Sequence, residues 1–270
     1  MKHVASILAL SLSLSACGGT LISTKEERKL GRDVHSQILK EYKLIKPSHS
    51  LGKWATEFIR PLTKASNRFR SVNSVGGYRV YIIADDKLIN AFAAPGGYTY
   101  ISSGLILAAD NCAEIAGVMG HELAHVTERH SVKKLESAMA VQTASGVLLG
   151  EGSGSQTAQA VWGFFQNTTF SREDETEADE VGLQIAKGAG YDPFGLADFF
   201  KKLMAQGGGG PEFLSSHPAS SKRVKRVRAS IRRRYGRKAK AGKLGSQRCK
   251  TTLKLREVKS RLRKSYSLLN

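Results

Sequence analysis

The chain has 270 residues, 41% of them hydrophobic, and a formal net charge of +19. Its length and apolar share exclude a disordered tail or a mini-protein without a core. The charge does not make the whole chain a nucleic-acid binder, because residues 222–264 hold 20 Lys and Arg against one acid, Glu257, leaving 22 basic and 22 acidic residues elsewhere.

Lys2 and His3 precede an apolar stretch, Val4 to Ala16, with the length of a signal-peptide core and too short to span a bilayer. Residues 1–16 are therefore expected to be a signal peptide. Leu14-Ser15-Ala16-Cys17 resembles the bacterial lipobox, which makes Cys17 the expected lipidated residue and 17–22 a tether. Gly18 in place of Asp fits sorting to the outer membrane. No later segment reaches the roughly 18 apolar residues of a membrane-spanning helix. The expected location is the bacterial cell envelope, as an outer-membrane lipoprotein facing the periplasm. That compartment is oxidising, so Cys112 and Cys249 could pair, but nothing in the sequence places them together, and neither sits in a CxxC or CxxH pattern.

Ser23 or Thr24 can cap a helix with Glu26 and Glu27 in its first turn, running towards Ile45 and stopping before Pro47. A second helical stretch covers about Leu51 to Ser66. Tyr78 to Ala84, Ile89 to Ala94 and Tyr98 to Ser102 are short β-rich pieces separated by Asp85-Asp86 and Pro95-Gly96-Gly97, which predicts a small antiparallel sheet. Ala113 to about Ser137 reads as one long helix, with Ile115, Val118, Met119, Leu123 and Val126 recurring on one side. Residues 138–169 are Gly/Ser-rich, and 150–155 reads as a flexible break between two amphipathic helices. Further helices are expected over Arg172 to Lys187 and Pro193 to Gln206, followed by a hinge-like loop at Gly207 to Gly210 and Pro211.

Inside the strongest predicted helix lies His121-Glu122-Leu123-Ala124-His125. Histidines at i and i+4 share one helix face, so both imidazoles reach one Zn²⁺, and the intervening Glu sits beside a metal-bound water. This is the spacing that metal-assisted hydrolysis requires. Zinc acidifies the water and polarises the scissile carbonyl, while Glu122 takes the proton and delivers it to the leaving amine. A third protein ligand is expected in Ser171-Arg172-Glu173-Asp174-Glu175-Thr176-Glu177-Ala178-Asp179. Spacing alone leaves Glu173, Glu175 and Glu177 open. A Glu175 ligand would set Asp179 one turn further on, able to accept the other N–H of a ligand His.

Several ordered motifs extend this reading over roughly residues 23 to 230. They are Asn90-Ala91-Phe92-Ala93 with Pro95-Gly96-Gly97, Ser103-Gly104-Leu105, Gly120 before the His-Glu-Leu-Ala-His run, Arg129-His130, Ser171-Arg172, Glu175-x-x-Ala178-Asp179, and Ser216-His217-Pro218 with Arg223. In these the chain resembles the gluzincin metallopeptidases of family forty-eight, the group of HtpX and the CAAX prenyl proteases, and within it the periplasmic BepA/LoiP-like lipoprotein branch. The resemblance implies His121, His125 and Glu175 as ligands of one Zn²⁺ per subunit, Glu122 as general base and Asp179 as the carboxylate behind a ligand. It also implies that Asn90 to Ala94 is an edge strand on which an extended substrate adds. His217 is implied to lie on a loop over the metal, capping the open position or, when displaced, standing near the substrate. Arg223 is placed to donate to an oxyanion or to hold that loop. His130 is read as structural, and His35 and His49 carry no functional expectation.

The fold expected is α+β, mostly helical, with the sheet beside the zinc helix. Residues 23–230 form the peptidase domain and 231–270 a basic C-terminal extension, helical over Lys222 to Lys240 and again over Thr251 to Tyr266. The expected partners are unfolded or misassembled envelope proteins, a membrane reached through the lipid anchor and the cationic extension, and not nucleic acid, since only Tyr235 and Tyr266 interleave the cations. The competing reading is an outer-membrane assembly chaperone, or a cationic surface-binding lipoprotein, with a latent zinc site.

Overall fold

The computed structural model describes residues 21–144, 154–167, 169–205 and 212–267. The signal peptide, Cys17, most of the 150–155 break and the Gly207–Gly210 loop expected from the sequence lie outside them. Helix α1 (Thr24–Glu41) opens with a capping box in which Ser23 and Glu26 satisfy each other's backbone donors. It ends earlier than its pattern suggests, because Tyr42 turns extended and Leu44–Ile45 become strand β1. Helix α2 (Ser50–Ser66) is capped by His49, whose Nδ1 accepts from the Leu51 N–H.

Strands β2 (Arg79–Ile83), β3 (Ala91–Ala94) and β4 (Tyr98–Ser102) follow. The sheet order is β1-β2-β4-β3, with β2 parallel to β4 and the other two pairings antiparallel. The expected all-antiparallel sheet is thus corrected to a mixed one. The physical reason is that β3 folds back on β4 through Pro95-Gly96-Gly97, whose two glycines take φ of 70° and 79°, and so inserts β4 between β3 and β2. This leaves β3 at the edge.

Helices α3 (Ser103–Ala108) and α4 (Cys112–Thr127) come next, and all sixteen residues of α4 are buried. A helix enclosed on every side belongs at the centre of a molecule, and α4 packs against α2, α7, α8 and β3. The single long helix expected from Ala113 to Ser137 is broken, since α5 (His130–Ala144) starts afresh after Arg129, which has a φ of 59°. Apolar periodicity continues through that residue, so the pattern could not reveal the break.

Helix α6 (Gly154–Asn167) covers the aromatic face of the sheet, where Trp162 packs with Tyr98, Tyr100 and Phe92. Helices α7 (Arg172–Gly188) and α8 (Gly195–Ala205) complete the core around α4, and α7 again begins with a capping box, Ser171 with Asp174. A short α9 (Glu212–Ser216), then α10 (Ser221–Tyr235) and α11 (Leu255–Ser267) finish the chain. Helix α10 stops at Gly236, with a φ of 102°, rather than reaching Lys240. The segment beyond is docked on the core. Val258 and Leu262 of α11 are buried in the central cluster, Tyr191 bridges to Ser246, and Cys112 forms a disulfide with Cys249. No helix among the described residues is long and apolar enough to cross a membrane.

Candidate metal centre

Burying α4 takes four charged or titratable side chains out of water, and each needs a partner to be tolerated. Glu114 has one, the Lys202 ammonium at 2.6 Å. The other three, His121, Glu122 and His125, face a group of polar side chains contributed by α7, by His217 just past α9, and by α10.

The crossing of α4 over α7 is what lets these groups meet. Gly120 lies against Gly182, and a Cβ on Gly182 would stand 2.8 Å from both the Cα and the N of His121. Two glycines at the crossing bring the helix backbones together. Glu175 and Asp179, one turn apart on the facing side of α7, then reach the histidines directly. Of the three carboxylates left open by spacing, Glu175 is the one that turns inward.

The Nε2 atoms of His121 and His125 are 3.1 Å apart, and each is 3.5 Å from an oxygen of Glu175. His217 Nδ1 lies 3.3 Å from His121 Nε2 and 2.7 Å from Glu175 Oε1. These four side chains, all buried, present donor atoms within 4.8 Å of one another, a group that could hold a metal ion. For bonds of ~2.0–2.1 Å a tetrahedral ion needs donors about 3.3 Å apart, and the observed separations scatter around that value. Three nitrogens and one carboxylate oxygen also match the donor chemistry of a borderline divalent metal.

The electrostatics suit a cation. Burial pulls the His121 and His125 imidazoles below their ordinary range, so both favour the neutral, ligating form. At Glu175 burial pushes the other way but is overcome by His217, His121 and His125, which hold the carboxyl well below the usual range. His217 goes up, because Glu122 and Glu175 outweigh its burial. Glu122 is pushed up to about 7, chiefly by burial, and its Oε1 stands 3.4 Å from His217 Nε2.

Asp179 Oδ1 is 3.2 Å from His121 Nδ1, the ring nitrogen facing away from the donor group. Its carboxyl is lowered to about 2, as His121 and Arg223 overcome the effect of burial. Arg223 is buried and fully engaged. Its guanidinium meets Asp179 at 2.8 and 2.9 Å, Glu175 at 2.5 Å and the Pro218 carbonyl at 3.2 Å, which ties the His217 loop to α7. Asn90, buried ahead of β3, donates to Glu212 at 2.9 Å, and the Phe213 N–H donates to the Ile89 carbonyl, so α9 is also pinned to the sheet edge. Ala91 is buried while Phe92 and Ala93 are half-buried.

A cavity of about 160 Å³ opens beside Glu122 and His217, walled by Phe92, Trp162, Phe165 and Phe170. Phe170 also stacks on His125 at 3.9 Å between ring centroids. Of this wall the sequence reading singled out only Phe92; Trp162 and Phe165 come from the amphipathic stretch expected beside the Gly/Ser-rich break and carried no functional expectation. His130, read as structural, stands 2.9 Å from His125.

The model of peptidase family M48 matches residues 54–231, about two thirds of the chain. The beta-barrel assembly-enhancing protease of Escherichia coli K12 is 32% identical over 161 residues, covering 54% of this chain and 33% of that protein. The metalloprotease YcaL of the same organism is 27% identical, over 83% of this chain and 87% of that protein. The mitochondrial metalloendopeptidase OMA1 of Schizosaccharomyces pombe is 27% identical over 76% of this chain and 61% of that protein. The chain thus spans only about a third of the length of the first of these relatives. With the family model laid over residues 54–231, from within α2 to within α10, the stretch that builds the donor group, the chain belongs to peptidase family M48.

Proposed function

We propose that the protein is a zinc-dependent endopeptidase of the bacterial cell envelope, hydrolysing misfolded or misassembled proteins there. The observation that carries the reading is the buried His121, His125 and Glu175 donor set with a protonatable Glu122 beside it. A zinc ion held by those three residues would acidify a water molecule and polarise the scissile carbonyl. Glu122, with a carboxyl near neutrality, is matched to taking a proton at working pH and passing it to the leaving amine. Asp179 fixes the His121 ring through Nδ1, and Arg223 holds Asp179, Glu175 and the Pro218 carbonyl in one arrangement. Along the edge segment Asn90, Ala91, Phe92 and Ala93, the backbone groups of Asn90 are taken by Ser102, and by the alternation of an antiparallel ladder those of Ala91 and Ala93 face away from β4 and can pair with an extended peptide, a mode that reads conformation more than sequence. That selectivity suits unfolded substrates.

His217 stands among the donors, in the place a water or substrate needs, so turnover requires its loop to move aside. The same observation favours the second reading, a largely latent site on an assembly factor. Lipidation of Cys17 and the cations of residues 231–270 would hold the protein at an anionic membrane surface.

The test is casein cleavage by wild type beside Glu122→Gln, with zinc measured in both. Zinc in both and cleavage only by wild type is expected. Equal cleavage would remove Glu122 as the base, and zinc in both with no cleavage by either would favour the latent site.

A further inference from the structure

His130 is buried, 1% exposed, and both of its ring nitrogens are engaged. Its Nδ1 faces His125 Nδ1 at 2.9 Å, and its Nε2 lies 3.1 Å from Glu177 Oε2 and 3.7 Å from Asp174 Oδ1. The two imidazoles cross edge to face at 73°. In an unbroken helix this contact could not form, because five residues turn the chain to about 140° away from the starting side chain.

The break at Arg129 makes the contact. A left-handed backbone is unfavourable for a non-glycine residue and persists only where its surroundings hold it. Arg129 is held by Glu27 at 3.1 Å through Nε and by the Ile22 carbonyl at 2.5 Å through Nη2. The turn restarts the helix as α5 and folds its first residue, His130, back on His125.

The order of protons follows from the donor set. His125 directs Nε2 at the other donors, so that nitrogen keeps a free lone pair and Nδ1 carries the hydrogen. His125 Nδ1–H must then donate to His130 Nδ1, which leaves the His130 hydrogen on Nε2, facing the carboxylates of α7. We propose that His130 is a positioning residue for metal binding, fixing the tautomer and ring orientation of His125 through this hydrogen bond and relaying it to Glu177. His121 is served by a carboxylate directly, through Asp179, whereas His125 is served through a second imidazole. The inference rests on reading His125 as a metal ligand, and outer partners of this kind change metal affinity by about 10–100-fold when lost.

The experiment compares zinc affinity, by chelator competition, of the full chain with His130→Leu and His130→Asn. The leucine variant should bind zinc about 10–100-fold more weakly. The asparagine variant, whose side-chain oxygen can accept near the position of Nδ1, should regain most of that loss. A structural role alone would leave the zinc affinity of folded protein unmoved, and wild-type affinity in His130→Leu overturns the proposal. Where the leucine variant does not fold, ¹⁵N spectra of the zinc-loaded wild type decide. The expected pattern is His130 protonated on Nε2, and a proton on His130 Nδ1 overturns the assignment. If wild type takes up no zinc, the ligand reading fails and this inference with it. Zinc binding that depends on residue 130 without casein cleavage supports the inference and sinks only the peptidase reading.

Discussion

Glu27 shows how a residue far from the donor group maintains it. Its side chain is 2% exposed and is gripped by Arg70 at 2.7 and 2.9 Å and by Arg129 at 3.1 Å. Arg70 also donates to the Val126 carbonyl, so α1, the segment after α2 and the end of α4 meet on one carboxylate. Removing one partner from a buried ion cluster leaves the others uncompensated and costs about 3–5 kcal/mol. Glu27→Ala is therefore expected to lower the denaturation free energy by that amount, measured in urea, and a loss below 1 kcal/mol would show that the cluster is effectively solvated. In the sequence Glu27 reads as an ordinary first-turn acid. The motif residues His121, Glu122 and His125 were legible because one helical turn relates them, whereas the pairing of Glu27 with Arg70 and Arg129 joins separate parts of the chain and leaves no local mark.

Among the elements, the crossing of α4 and α7 decides whether the ligands meet. Gly182 and Gly120 set how close the helices come, and two opposing magnitudes make Gly182→Ala informative. An alanine at an exposed helical position gains about 1 kcal/mol over glycine, but a Cβ placed 2.8 Å from the His121 backbone forces the helices apart, and overpacking costs about 1–3 kcal/mol. The variant should melt lower than wild type and hold less zinc, read by thermal unfolding and metal content. A higher melting temperature with full zinc would mean that the crossing has room to spare. The legibility of elements followed the same division. β2, β3 and β4 stood out by their turn residues and β-rich runs, and the helix expected over Arg172 to Lys187 lies within one residue of α7. Their order and orientation in the sheet depend on chain reversal at Pro95-Gly96-Gly97, and the end of α4 on a left-handed arginine, neither of which alters apolar periodicity. Spacing could not show the inward turn of Glu175 rather than Glu173 or Glu177, because it depends on how α7 packs against α4; only the family resemblance pointed to Glu175.

For the molecule as a whole, the packing of the basic C-terminal segment on the core can be separated from the membrane docking proposed for it. Its inner side belongs to the core. Val258 is fully buried and Leu262 is 1% exposed, the Cys112 N–H donates to the Gln247 carbonyl, and the disulfide closes a loop of 137 residues at the first residue of α4. Bulk charge, the feature most visible in the sequence, marked this segment as an appendage and hid these apolar contacts. Its outer side is cationic, with Arg237, Lys238 and Lys240 all exposed. Ending the chain at Tyr235 removes two buried side chains worth ~1.5–3 kcal/mol each, together with the cross-link. At 2–4 °C per kcal/mol this should lower the melting temperature by about 10 °C or more, and activity should fall with it. Replacing Arg237, Lys238 and Lys240 together by Glu leaves the inner side intact, so stability should change by no more than about 0.5 kcal/mol per site. Binding to anionic vesicles should nevertheless weaken, and wild-type binding should itself decline as salt shortens the screening length. Co-sedimentation and melting measured on both variants separate the roles. A truncated chain as stable as wild type would make the segment an appendage after all, and vesicle binding indifferent to both the charge reversal and salt would remove the electrostatic docking.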